Sequence, residues 1–322
     1  MNQSVPLFRK ILAVTDFSDC ARTGLDQAVQ LGKLTGAEVT LAHVVPLTQE
    51  TMEGMAANPW YAAANVEEIE ERLRHGADER LKAELTPYQD SGVALHVKTL
   101  WGVPFVEIIH AVQEEGYDLT VVGTRGRSPI SRFLVGSTAT RLVRKCPCPV
   151  WIAKPHDGRP LRSILAPIDY SEASQKSLRM AAALAAEAEG LLHVLHVYND
   201  DRELQMLALV TDEESSERRK LMHRHAVEGL EQFVEQMQLP VRPTLHVERG
   251  ETWKRVVAAS RRLDADLTVM GTVGRGGVSG LMIGNTAEKV MHVEEGPLLA
   301  VKPEGFVSPV PPRSKLRHAL RD

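Results

Sequence analysis

Asp118–Arg127 reads DLTVVGTRGR, and Asp266–Arg275 reads DLTVMGTVGR. In each, a short and mostly apolar run closes on a glycine turn, as a strand buried on both faces does where it meets a loop. With nine residues between, Gly126 is followed by Gly136 and Ser137, and Gly274 by Gly284 and Asn285. Upstream, RKILAVTDFSD (Arg9–Asp19) aligns without a gap on RSILAPIDYSE (Arg162–Glu172), and LAHVV (Leu41–Val45) falls on VLHVY (Val194–Tyr198). The offset is 153 residues at Asp16/Asp169 and at His43/His196, and 148 at Asp118/Asp266. Ungapped blocks with glycines at matching places indicate an internal duplication. Residues 1–155 and 160–303 are therefore two copies of one domain, joined by the polar linker Pro155–Pro160. Residues 304–322 form an extended tail with Pro309, Pro311 and Pro312.

Each copy alternates strands and helices. In the first, Lys10–Val14 is a strand, and Ser18 caps a helix reaching Leu34. Strands follow at Val39–Val45, Val93–Lys98, Leu119–Val122 and Val150–Ala153, with a charged helix over Val66–Leu85. Pro104 opens the next helix, where its missing N–H costs nothing. The second copy repeats this with Ile164–Pro167, Leu191–Val197, Val241–Val247, Leu267–Met270 and Leu298–Val301. Continuous apolar strands separated by helices predict an α/β fold. The expectation is two tandem, doubly wound, five-stranded parallel sheets of Rossmann-like type. The short apolar fifth strands would be exposed edges unless paired, so an edge-to-edge pseudo-dimer of the two halves is expected.

Composition narrows the function classes. The 322 residues are 43% hydrophobic and 25% charged, an ordinary globular balance. Lys+Arg is 38 against Asp+Glu 42, a formal charge of −4, which argues against a general nucleic-acid or membrane-surface binder. The apolar helix around Ser177–Glu187 is interrupted by Arg179 and too short to span a bilayer. Three cysteines, Cys20, Cys146 and Cys148, make no disulfide framework. With no secretory signal at Met1–Lys10, a cytoplasmic protein is expected.

The glycines carry the densest chemical signal. Gly123 lets the chain turn and lets its backbone approach a ligand. Gly136-Ser137-Thr138 opens a helix whose free N–H groups and dipole suit phosphate, with Arg125, Arg127 and Arg132 nearby. A single GxxG would be read as a plain turn and cap; the duplicated spacing favours a ligand. Asp16 and Asp169 each end a first strand, where a doubly wound sheet opens its ligand crevice. They suit either hydrogen bonds from an adenine or ribose or a helix cap beside Ser18 and Ser171.

These residues resemble the universal stress protein family. Its nucleotide-binding signature, GxxG, nine residues, then Gly and Ser or Thr, is matched by Gly123, Gly126, Gly136 and Ser137; AVTDFSD with Asp16, and Ala42-His43-Val44, are similar to family positions. The resemblance covers nearly the whole chain twice. It implies that residues matching Thr15, Asp16 and Val44 hold the adenosine end of ATP, with or without Mg. Those matching Gly123, Arg125, Gly126, Gly136, Ser137 and Thr138 would hold ribose and phosphates. The corresponding set in the second half is Asp169, Val197, Gly271, Gly274, Gly284, Asn285 and Thr286. There Asn285 replaces the signature Ser, Val273 stands in place of Arg125, and Ile168 replaces Thr15. The second half is therefore expected to bind nucleotide more weakly or to bind something else.

Other signals weigh less. Cys146/Cys148 read as a structural thiol pair, His223/His225 as a solvated helix, and His43/His96 with His196/His246 as buried neutral histidines on neighbouring strands. No Walker-type GK[ST] follows the first strand, and no nucleophile–His–acid set converges. The expected function is a nucleotide-binding stress-response sensor or regulator rather than an enzyme. A nucleotide-independent scaffold and a weak ATPase are the alternatives, and a homodimer of whole chains is left open.

Overall fold

The computed structural model describes residues 7–46, 66–124, 135–155, 158–199, 212–273 and 283–314. They fall into two compact units. The first joins residues up to Lys154 with the segment from Val307 onward, and the second is Pro155–Phe306.

In the first unit the order is β1 (Lys10–Thr15), α1 (Asp19–Thr35), β2 (Glu38–Val45), α2 (Val66–Leu85), β3 (Leu95–Trp101), α3 (Pro104–Glu115), β4 (Leu119–Gly123), α4 (Ser137–Lys145) and β5 (Val150–Ala153). All pairings are parallel, in the order β3-β2-β1-β4-β5. The second unit repeats it: β6 (Ser163–Ile168), α5 (Glu172–Glu187), β7 (Leu191–Tyr198), α6 (Asp212–Met237), β8 (Thr244–Arg249), α7 (Thr252–Arg262), β9 (Leu267–Gly271), α8 (Asn285–Val293) and β10 (Leu298–Val301). Its order is β8-β7-β6-β9-β10, again parallel. The duplicated α/β fold with five parallel strands per copy is thus present. Strands β4, β5, β6 and β10 are buried along their whole length, which is why they read as continuous apolar runs.

The third strands begin later than their apolarity suggests, at Leu95 and Thr244 rather than Val93 and Val241. Both are edge strands whose side chains are mostly half-buried, so apolarity marks them poorly. A 3-10 turn over Thr86–Ser91, closed by Gly92 at φ +78°, delays β3 until its backbone meets β2. Of the expected tail, residues 307–314 pack against the first unit.

The acidic residue that opens each DLTV block has a main-chain task. Asp118 accepts hydrogen bonds from the N–H groups of Arg9 (2.9 Å) and Lys10 (3.1 Å), tying the start of β1 to β4. Asp266 does the same for Arg162 (2.7 Å) and Ser163 (2.9 Å), and also holds the linker through Arg159 Nε at 2.5 Å. The polar core differs between copies. In the first, buried Gln27 accepts from Trp151 Nε1 (2.7 Å) and donates to the carbonyl of Lys154 (2.9 Å). Met180 and Leu299 stand at the matching places of the second copy.

Candidate functional site

Strand order places the crevice. The chain winds outward from β1 to β3 and then returns to β4 on the other side of β1, so the carboxyl ends of β1 and β4 flank the point of reversal. At that end Thr15 is followed by a tight turn. Ser18 donates to Asp16 Oδ1 from both its N–H (3.1 Å) and its hydroxyl (2.6 Å), and Ser18 Oγ accepts from Ala21 N–H at 3.3 Å to cap α1. Phe17 between them sits at φ +65°, a left-handed conformation that an aromatic residue rarely adopts and that costs about 1–3 kcal/mol. Its N–H donates to Thr15 Oγ1 (2.9 Å) and its ring packs on His43 with centroids 4.4 Å apart. His43 in turn donates from Nδ1 to the Thr15 carbonyl at 2.8 Å. Arg80, from α2, lies over the other part of the Phe17 ring at 4.0 Å.

This geometry revises several expected roles. The Thr15 side chain is 3% exposed and its hydroxyl donates to Glu84 Oε2 at 3.1 Å, so the hydroxyl is spent inside the protein and Thr15 can face a ligand only through its backbone. Asp16 uses Oδ1 to build the turn and position the cap. Val44 is buried one strand away, next to His43. Gly123 has a packing reason to be glycine: a Cβ there would sit 2.6 Å from the Cys20 carbonyl oxygen on α1. Gly271 is constrained in the same way by Ala173, 2.9 Å from where its Cβ would be.

The helix beyond the loop brings its N-terminus to the same end of the sheet. Gly136 N–H donates to the Thr124 carbonyl at 2.6 Å, which returns the chain to the end of β4. Gly136 is the N-cap of α4 without a side-chain cap, so the first N–H groups, at Ser137 and Thr138, have no capping acceptor from it. No acidic residue stands in the first turn, and Ser137 is exposed. Arg125, Gly126 and Gly274 lie outside the described residues. The remaining residues of the first set, Thr15, Asp16, Val44, Gly123, Gly136, Ser137 and Thr138, belong to the carboxyl ends of β1, β2 and β4 and the start of α4.

The second unit builds the same turn with different neighbours. Ser171 donates to Asp169 Oδ1 from N–H (3.1 Å) and hydroxyl (2.5 Å), and Tyr170 adopts φ +63°. Tyr170 packs on His196 (4.5 Å), which donates to the Ile168 carbonyl at 3.2 Å. Where Glu84 meets Thr15 in the first unit, Phe233 packs edge-on against Tyr170 at 5.0 Å. Val197 is half-buried beside His196. Gly284 caps α8, with its N–H on the Thr272 carbonyl at 2.7 Å; Asn285 and Thr286 follow, but Glu288 puts a carboxylate in the first turn.

Three features escaped the sequence. One is the pair of left-handed aromatics, which no local rule anticipates. Another is the role of Glu84, which looks like ordinary surface charge on α2. The third is His193. The expected partners of His246 and His43 are different: His246 pairs with His193 on β7 (Nδ1 to Nε2, 3.1 Å), while His96 is exposed beside Glu38 at 3.7 Å. Burial pushes both His193 and His246 below the usual histidine range, and for His246 the His193 ring adds to the effect. The sulfurs of Cys146 and Cys148 lie 3.5 Å apart, both near Thr120 Oγ1. Burial pushes the Cys148 thiol up, so it stays protonated. Among the described residues no three His, Cys, Asp or Glu side chains converge as metal ligands. No helix among them is long and apolar enough to cross a membrane.

Comparison with known proteins agrees with this architecture. The model of the universal stress protein family matches residues 7–154 and again 160–302. A universal stress protein of Methanocaldococcus jannaschii is 32% identical over 148 residues, covering 46% of this chain and 83% of that protein. Universal stress protein E of Escherichia coli K12 is 27% identical over 232 residues, 69% of this chain and 73% of its own length. Among solved structures, a universal stress protein from Archaeoglobus fulgidus aligns over 91% of this chain and 98% of its own, with a TM-score of 0.65 and 23% identity.

Proposed function

The chain belongs to the universal stress protein family, and from that premise we propose that its first unit binds ATP in the crevice where β1 and β4 end. The observation that carries this reading is the α4 N-terminus. It is capped by a glycine without a side chain, free of acid in its first turn, and returned to β4 by the Gly136–Thr124 hydrogen bond. Such an end offers N–H donors and the positive end of a dipole to phosphates. Ser137 and Thr138 add hydroxyls to the same end, and the Asp16 turn with Val44 lies on the adenosine side. Mg, when bound, would neutralise phosphate charge.

The function is binding and signalling in the stress response, not catalysis. Asp16, the one carboxylate in the turn, is committed to Ser18, which suits a turn builder better than a general base. A cytoplasmic location accords with the low cysteine content, three in 322 residues. For the second unit a nucleotide-independent role is the competing reading, favoured by Glu288 at the helix end where phosphate would sit.

The test is calorimetry of the full chain with ATP. One tight site per chain is expected, abolished by Gly136→Val at unchanged circular dichroism. Undiminished affinity in that variant would overturn the placement. Steady turnover that disappears in Asp16→Ala would instead argue for an ATPase.

A further inference from the structure

The proline-rich segment after the second unit has no part in the nucleotide reading, yet it is held by four specific contacts. The chain leaves the first unit after Lys154 and re-enters it at Val307. Val310 is buried, and its carbonyl accepts from Gln113 Nε2 at 3.0 Å. The next carbonyl, of Pro311, accepts from Nε2 of His110, a histidine only 3% exposed, at 3.1 Å. Arg313 then bridges two carboxylates of the same helix, Glu107 and Glu114, the latter at 3.3 Å. His110, Gln113, Glu107 and Glu114 all lie on α3, at spacings that put them along one side of a helix.

The duplication supplies an internal control. At the positions of α7 that match Glu107, His110, Gln113 and Glu114, the second unit has Arg255, Ala258, Arg261 and Arg262. Both acids are reversed to arginine, and both side-chain donors to the tail carbonyls are replaced. An arginine-bearing peptide would be repelled there. Prolines at 309, 311 and 312 restrict the backbone and lower the entropy lost on docking. Proline also lacks an N–H, so the segment presents carbonyl acceptors and few donors, matching a surface that supplies donors from His110 and Gln113.

We propose that this side of α3 is a peptide-docking surface for a proline-rich segment followed by an arginine, and that its occupant is the chain's own 307–314 segment, bound in cis. The first unit thereby holds the segment that follows Phe306 in the chain. Selectivity for α3 over α7 comes from the Glu107/Glu114 clamp on Arg313. Charge-assisted, two-acid recognition of a guanidinium is the strong part of the contact.

The test places a reporter thiol at the buried valine, Val310→Cys, in the full chain, and measures alkylation of its peptide by mass spectrometry. Slow labelling is expected in that background. Arg313→Glu, or Glu107→Arg with Glu114→Arg, should raise the rate roughly tenfold, the effect of losing about one charge-assisted bond. Combining all three charge reversals should return it towards the slow rate, because the clamp is rebuilt with opposite signs. Equal rates in all variants, or no recovery in the triple variant, would overturn the proposal. Protection that weakens on dilution would also overturn it, since the segment would then sit on a second copy of the chain.

Discussion

The turns Asp16–Ser18 and Asp169–Ser171 are built to one plan, while the helices leaning on them have diverged in matched pairs. Thr15 with Glu84 forms a polar contact over the first turn; Ile168 and Phe233 offer apolar groups over the second. Arg80 covers the Phe17 ring, whereas a Cβ at Gly229 would come within 3.8 Å of the Tyr170 hydroxyl. Gln27 with Trp151 is likewise answered by Met180 and Leu299. The strained turn is thus kept while its surroundings are refitted. The turn serves the fold of both copies, and the two copies differ in the side chains that pack over it.

The largest difference between equivalent residues should appear at the two DLTV aspartates. Asp266 is 2% exposed and holds two backbone N–H groups together with Arg159; Asp118 holds two N–H groups in a more open place. Removing a buried acceptor leaves its donors unsatisfied as well as unbonded. Asp266→Ala should therefore destabilise the second unit by about 3 kcal/mol, and Asp118→Ala the first by only about 1 kcal/mol. Urea unfolding followed by proteolysis, with fragments assigned to each unit by mass, measures both. Equal losses would show that burial does not distinguish them.

Much of this was legible in the sequence because its causes are local. Apolar runs mark the buried strands, and Ser18 and Ser171 are caps whose partners lie three residues on. Gly123 was legible as a special position, but its reason was not. That reason is the backbone of α1, which local sequence does not bring near. The contacts of Asp118 to Arg9 and of Glu84 to Thr15 span 109 and 69 residues, and an aspartate before a strand or a glutamate on a charged helix carries no mark of such a partner. His193 was passed over because it sits among leucines and valines on β7, and its partner is one strand away and 53 residues on.

An intermediate effect should come from the helix ends. The first turn of α4 has no acid, and that of α8 has Glu288, where the matching residue of α4 is Thr140. A carboxylate near a helix N-terminus stabilises the helix but competes with phosphate for the same dipole and N–H groups. Thr140→Glu should weaken ATP binding by the first unit about fivefold, for about 1 kcal/mol of interaction, while slightly raising its thermal stability. Glu288→Thr should do the opposite in the second unit. Opposite signs in calorimetry and melting separate a binding effect from damage to the fold. A fall in both would break the argument.

The smallest effect concerns pH. His193 and His246 touch across β7 and β8 in the second unit, where the first unit has Thr40 and Lys98. Arg262 and Glu248, themselves paired at 2.7 Å, act on His246 with opposite signs. Burial lowers both histidines below their unfolded value of about 6.5, so native His193 and His246 resist a proton that the unfolded chain accepts. The unfolded state then binds more protons below about pH 6.5, and stability must fall as pH drops through that value towards the lowered native ones, while nothing is lost above it. The second unit should accordingly lose urea resistance between about pH 7 and pH 5 beyond any loss in the first. His246→Gln keeps a polar group beside His193 while removing one proton site and the charge that opposes the other, so it should flatten the dependence. A second unit whose urea midpoint follows that of the first throughout would mean that the histidine pair relaxes on protonation without cost.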